Sequence, residues 1–106
     1  MDFDEYQTRA SETSAAPPKL DGQMYYFSLG LAGEVGELLN KIKKIARDGK
    51  NPSKEDITGE LGDVLWYLSQ IAKEFDIPLS EVVDYNIKKL ASRRERGVIS
   101  GSGDER

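Results

Sequence analysis

The chain has 106 residues, enough for one domain with a modest core, and it carries a net charge of −4 with no cysteine and no histidine. Those absences exclude disulfides, thiolate or imidazole metal ligation, a cysteine nucleophile and Ser-His-Asp chemistry, and they disfavour a di-iron redox bundle built on Glu-x-x-His pairs. The acidic balance argues against a nucleic-acid partner. With no apolar run of ~18 residues and no charged-then-apolar leader, neither a membrane partner nor secretion is supported, so a cytoplasmic location is expected.

Helical periodicity dominates and strand alternation is absent, which predicts an all-α helical bundle. Residues from about 2 to 12 read as a short, weak helix, followed by the linker TSAAPPKLDG, whose Pro17 and Pro18 forbid continuation. Together they suggest an N-terminal segment, 1–24, ahead of a helical domain over 25–96. The first long helix is expected from about Gln23 to Arg47, with Gly49 as its C-cap. Asn51 and Pro52 then resemble an N-cap and N1 pair, with Ser53 and Asp56 as an alternative capping box, and the second long helix should run to about Phe75. The short loop between them favours antiparallel neighbours. Asp76, Ile77 and Pro78 interrupt the chain, and a third helix should span about Leu79 to Arg96. The tail GVISGSGDER, 97–106, is rich in Gly and Ser and is expected to be mobile.

The two long helices repeat one another. LAGEVGELLNKIKKIA (Leu31 to Ala46) aligns without a gap on ITGELGDVLWYLSQIA (Ile57 to Ala72), so Glu34 and Glu37 correspond to Glu60 and Asp63. At helical spacing, Leu31, Val35, Leu38, Leu39, Ile42, Ile45 and Ala46 form an apolar stripe, and Ile57, Leu61, Val64, Leu65, Leu68, Ile71 and Ala72 form another of the same phase. Packed across these stripes, the helices would bring four flanking carboxylates together as a site for hard divalent cations, Mg²⁺ with Mn²⁺ as substitute. Without a cation, like charges ~4 Å apart repel by about 1 kcal/mol in water and about 4 kcal/mol near a protein surface. Gly33, Gly36, Gly59 and Gly62 each cost roughly 1 kcal/mol inside a helix, and close crossing of the two backbones is the expected compensation.

In the third helix, Leu79, Val82, Val83 and Leu90 mark the apolar stripe, and Asn86 falls within it. Lys89 and Arg93 follow along the same side. Acidic groups for Mg²⁺ with an amide and two cations nearby describe a site for a metal-complexed polyphosphate. Tyr67 replaces Lys41 of the first repeat, on the carboxylate side of its helix, where an aromatic face could contact a base or sugar.

These residues carry a resemblance. Glu34-x-x-Glu37, Glu60-x-x-Asp63 and Asn86-x-x-Lys89-x-x-x-Arg93, within GLAGEVGELLNKIKKIARDG, ELGDVLWYLSQIA and NIKKLASR, resemble the all-α MazG-like nucleoside triphosphate pyrophosphohydrolases from about Tyr25 to Arg96. One position departs: many members have two adjacent acids at the start of the first motif, and Gly33 stands at the first of them here. The resemblance implies hydrolysis of a nucleoside triphosphate, ribo or deoxy, to the monophosphate and pyrophosphate. Glu34, Glu37, Glu60 and Asp63 would then be the catalytic, metal-holding residues, with Glu37 a candidate base for the attacking water. Asn86, Lys89 and Arg93 would bind phosphates. It also implies a homo-oligomer, dimer or tetramer, with substrate near the subunit boundary. Trp66, opposite the stripe, is accordingly expected to be covered by another helix or subunit. The rival readings are phosphoribosyl-ATP pyrophosphohydrolase, with the same metal logic, and a non-catalytic helical module that binds partner proteins.

Overall fold

A computed structural model describes residues 1–17 and 20–106, with side chains from 23 onward in the second stretch; the Pro18 part of the expected linker lies outside the described residues. The described residues are all-α, with four helices: α1 (Phe3–Ser11), α2 (Leu20–Asp48), α3 (Lys54–Glu74) and α4 (Leu79–Glu95). α2 begins at Leu20, three residues earlier than the expected Gln23. It ends where Gly49 adopts φ +67° and its N–H bonds Ile45 O at 2.8 Å, as the glycine C-cap required. Of the two alternatives for the next helix, Ser53 is the N-cap, accepting from the Asp56 N–H at 3.1 Å.

α2 and α3 form the antiparallel hairpin that the short loop favoured. The partners show it: Lys41 meets Glu60, Glu34 lies among Glu60 and Asp63, and Phe27 meets Trp66, so position falls on α3 as it rises on α2. The face used differs from the expected one. Phe27, Gly30, Glu34 and Lys41 look onto α3, while Leu39 and Ile42 of the apolar stripe are 57% and 46% exposed, and Leu61 of the matching stripe is 52% exposed. Close approach also occurs elsewhere than expected. A Cβ on Gly30 would overlap the Tyr67 ring, whereas one on Gly33, Gly36, Gly59 or Gly62 would meet nothing within 4 Å. Gly30 is the glycine that admits a ring against the bare helix backbone.

α1 docks across α3 and α4 and completes the start of α4. Pro78, the α4 N-cap, offers no side-chain hydrogen bond, so the first N–H groups of that helix need partners from elsewhere. Buried Gln7 accepts from the Leu79 N–H at 3.1 Å and donates to Ser69 O at 3.1 Å and Ile77 O at 3.0 Å. Asp4 accepts from the Ser80 N–H at 2.9 Å and from its hydroxyl at 2.7 Å, and these two bonds hold the Asp4 carboxyl below the usual carboxylate range. The N-terminal segment is therefore joined to the helical body.

The tail folds back on α4 instead of trailing away. Arg106 donates to Val98 O at 3.0 Å, Gly103 O at 2.6 Å and Ile99 O at 2.9 Å, and Arg96 donates to Arg106 O at 2.8 Å. For all that, the single chain is spread out. Its accessible surface is 7803 Å² for 11.8 kDa, against about 5,900 Å² for a compact monomer of that mass. Its radius of gyration is 16.6 Å, where ~13 Å is usual for this length.

Candidate metal centre and adjoining cleft

The α2–α3 hairpin brings three of the four expected carboxylates together. Glu34, Glu60 and Asp63 each offer an oxygen within 4.8 Å of the others. Glu37, one turn beyond Glu34, is exposed and outside this trio. Its charge nevertheless reaches both Glu34 and Lys41, where it adds to upward pKa shifts led by burial and by the Glu60 hydrogen bond respectively.

The trio has an electrostatic deficit. Burial first, then the charges of Asp63 and Glu60, push the Glu34 carboxyl above its ordinary range. Lys41 compensates in part, its Nζ lying 2.9 Å from Glu60 Oε1, and its own pKa is raised first by that bond. The other oxygen, Glu60 Oε2, is buried without a hydrogen-bond partner. A buried acceptor left unpaired costs about 1–3 kcal/mol, and an all-oxygen, all-anionic donor set that converges on it suits a hard divalent cation.

Beside the trio lies a cleft of about 290 Å³. Glu34 and Asp63 form its acidic end, and Tyr26, Trp66 and Tyr67 its aromatic wall. The Tyr67 ring packs on Gly30 and tilts against Tyr26 at 6.4 Å, so Tyr67 serves packing on one side and lines the cleft on the other. Trp66 is half-buried by its own chain: it meets Phe27 edge-on at 5.9 Å and Tyr67 at 4.9 Å, and its indole N–H donates to Thr13 Oγ1 at 2.9 Å. The covering of Trp66 by another helix is met within the chain, and no second subunit is needed for it.

Thr13 and Ala15 form the rest of the cleft, and Tyr6 of α1 approaches as well, its phenol pushed up by burial and then by the Asp63 charge. Sequence reading missed these three residues. No periodicity marks them, because the segment is short and, among the described residues, only Thr13 of the three makes a side-chain bond to a cleft residue.

The polar set of α4 stands apart from the trio in a single chain. Asn86 is exposed on the rim of an apolar groove of about 480 Å³ between α3 and α4. Lys89 Nζ contacts Asp104 Oδ1 at 2.8 Å, and buried Arg93 donates to the Asp104 carbonyl and to Oδ1, the latter at 3.1 Å. These cations, Lys89 foremost, hold the Asp104 carboxyl below its usual range. Arg93 Nε remains buried and unpartnered. Among the described residues, no ion pair joins Lys89 or Arg93 to Glu34, Glu60 or Asp63.

The described residues thus form an all-helical fold in which a carboxylate trio converges beside an aromatic cleft. Comparison with known proteins is specific: the family model of the MazG nucleotide pyrophosphohydrolase domain matches residues 26–98, and the chain belongs to that family. It is similar to the Gene 37 protein of Mycobacterium phage L5, 44% identical over 115 aligned residues that cover 100% of each chain. No solved structure matches it.

Proposed function

We propose that this chain is a Mg²⁺-dependent nucleoside triphosphate pyrophosphohydrolase that cleaves between the α and β phosphates of an NTP or dNTP. The observation that carries the reading is the trio Glu34, Glu60 and Asp63, with oxygens within 4.8 Å and Glu60 Oε2 buried without a partner. Family membership supports the reaction class. A divalent cation held by these residues, Mg²⁺ or Mn²⁺, supplies Lewis-acid polarisation of phosphate oxygens and a more acidic water.

The chain's own residues supply the rest. Glu37, exposed and outside the trio, is the proposed group that orients or deprotonates the attacking water. Lys41, whose Nζ lies 2.9 Å from Glu60 Oε1, would offer its positive charge to the polyphosphate beside the trio. Tyr67 contacts the base or sugar, and Asn86, Lys89 and Arg93 bind phosphates. No protein nucleophile is involved.

The reading includes a homo-oligomer, dimer or tetramer. The surface excess of about 1,900 Å² over a compact monomer, the exposed Leu39, Ile42 and Leu61, and the groove between α3 and α4 support a second copy covering these faces. α4 of one chain would then reach the trio of its neighbour, with substrate at the subunit boundary.

A panel of NTPs and dNTPs with Mg²⁺, with pyrophosphate and orthophosphate measured separately, tests the reaction. Release of pyrophosphate is expected; release of orthophosphate rejects the bond assignment. Turnover of phosphoribosyl-ATP alone would favour that relative's activity, and no turnover of any substrate would favour the interaction module.

A further inference from the structure

Two residues of the cleft, Thr13 and Ala15, precede residue 26, where the match to the family begins. Thr13 is held from both sides. Its hydroxyl donates to Ala10 O at 2.8 Å, its N–H donates to the same carbonyl at 3.0 Å, and its oxygen accepts the Trp66 indole N–H at 2.9 Å. Since the one hydroxyl proton is committed to Ala10 O, the oxygen faces Trp66 as an acceptor. The segment itself is tied down by Gln7, which bonds Ser69, Ile77 and Leu79, and by the turn in which Ala16 N–H donates to Ser14 Oγ at 3.2 Å.

The indole is thus fixed by three contacts: Thr13 at its N–H, Phe27 edge-on at 5.9 Å, and Tyr67 edge-on at 4.9 Å. With its only donor used by Thr13, Trp66 can offer the cleft a flat apolar surface and no hydrogen bond. The opposite end of the cleft carries Glu34 and Asp63. Such a cleft suits a ligand with a planar heteroaromatic group at one end and a metal-complexed polyanion at the other.

We propose that the N-terminal segment is the selectivity wall of the nucleotide site, with Thr13 a positioning residue that holds the Trp66 indole as the surface on which the base stacks and Ala15 setting the width of the cleft. This rests on the reading of the trio as a nucleotide site. Stacking on Trp66 is sequence-tolerant, so discrimination among bases comes from the fit between this wall and Tyr67 rather than from hydrogen bonds to the indole.

The test uses the full chain and its single tryptophan, Trp66, whose fluorescence reports the cleft directly. An α,β-methylene nucleoside triphosphate with Mg²⁺ is titrated against the wild type and the Thr13→Val, Thr13→Ser and Ala15→Leu variants, and KM and kcat are measured on the hydrolysable panel. The wild-type signal is expected to change on binding. Thr13→Val should raise KM and the analogue's Kd about tenfold, the scale of one weakened base stack, with kcat within about twofold. Inhibition by inorganic tripolyphosphate, which has no base, should be unchanged, and Thr13→Ser should restore wild-type values. Ala15→Leu, exposed and outside the hydrogen-bond chain, should raise KM by narrowing the cleft, and it keeps the test decisive if Thr13→Val unfolds. Wild-type KM in both Thr13→Val and Ala15→Leu overturns the proposal, as does an equal loss of tripolyphosphate affinity. If the wild type hydrolyses no nucleotide but its analogue signal still depends on Thr13, the wall stands and the reading of the reaction falls; no analogue signal in the wild type overturns the wall.

Discussion

Glu34 bears the repulsion of the trio, and its raised pKa fixes the sign of a prediction. A carboxyl whose folded pKa is raised contributes stability below its unfolded pKa and loses it as pH rises through the folded pKa. At neutral pH without metal, Glu34 therefore opposes folding. Glu34→Gln should raise the Tm of the metal-free protein, abolish the increase in Tm that Mg²⁺ gives the wild type, and lower kcat by at least about a hundredfold. Glu37→Ala should also lower kcat by at least about a hundredfold while preserving the Mg²⁺-dependent increase in Tm, because Glu37 lies outside the trio. Thermal melting with and without Mg²⁺, beside steady-state kinetics, separates the two roles. The acidic pairs were legible in the sequence as a repeat. Which three oxygens converge was not, since it depends on the helix face that meets α3, and a Tyr67 ring seated on Gly30 helps choose that face in a way no apolar periodicity records.

Between elements, most of the order comes from single polar side chains. Gln7 makes three bonds that join α1 to α3 and to the start of α4. Gln7→Leu should leave those groups unpaired and lower stability by about 1–3 kcal/mol, read by urea unfolding, with a smaller effect from Asp4→Asn. The Asp4 contribution has the opposite pH sign to that of Glu34: it is present above the unfolded pKa of about 3.8 and is lost as pH falls through the depressed folded pKa. A second prediction concerns the tail. Asp104 sits on Lys89 and Arg93, so triphosphate that binds these cations must displace it. Lys89→Ala should raise KM in a manner that fades with added salt, and Asp104→Asn should lower KM several-fold at low salt, since the competing anion is gone. An unchanged KM in both variants would remove these cations from the substrate site. Helix boundaries were legible from Gly49, Ser53 and Pro78, where backbone chemistry is local. The docking of α1 and the return of the tail were not, because each rests on bonds between residues far apart in the chain, such as Gln7 to Leu79 and Lys89 to Asp104.

At the scale of the molecule, the open faces are the main observation. Leu39, Ile42, Leu61 and Ile87 are 57%, 46%, 52% and 61% exposed, and they lie on α2, α3 and α4. The stripes found in the sequence exist, but within one chain they are only partly covered, with Val35, Leu39, Ile42, Leu61 and Leu68 exposed, so helical periodicity located the apolar faces without saying what covers them. Trp66 was a poor guide to assembly, because Phe27, Tyr67 and Thr13 already shield it; Leu39→Glu is the better probe. Sedimentation at micromolar concentration should give at least a dimer for the wild type and a smaller species for Leu39→Glu, whereas a folded, active wild-type monomer would contradict the assembly.

In the proposed reaction, water activated at the carboxylate trio with a divalent cation cleaves the bond between the α and β phosphates. A ³¹P NMR time course on a nucleoside triphosphate tests it most directly, with parallel samples containing Mg²⁺, excess chelator, and the Asp63→Ala variant with Mg²⁺. Nucleoside monophosphate and pyrophosphate resonances are expected to grow together in the first sample and neither in the other two. Nucleoside diphosphate with orthophosphate, or turnover that survives the chelator or the loss of Asp63, would contradict it.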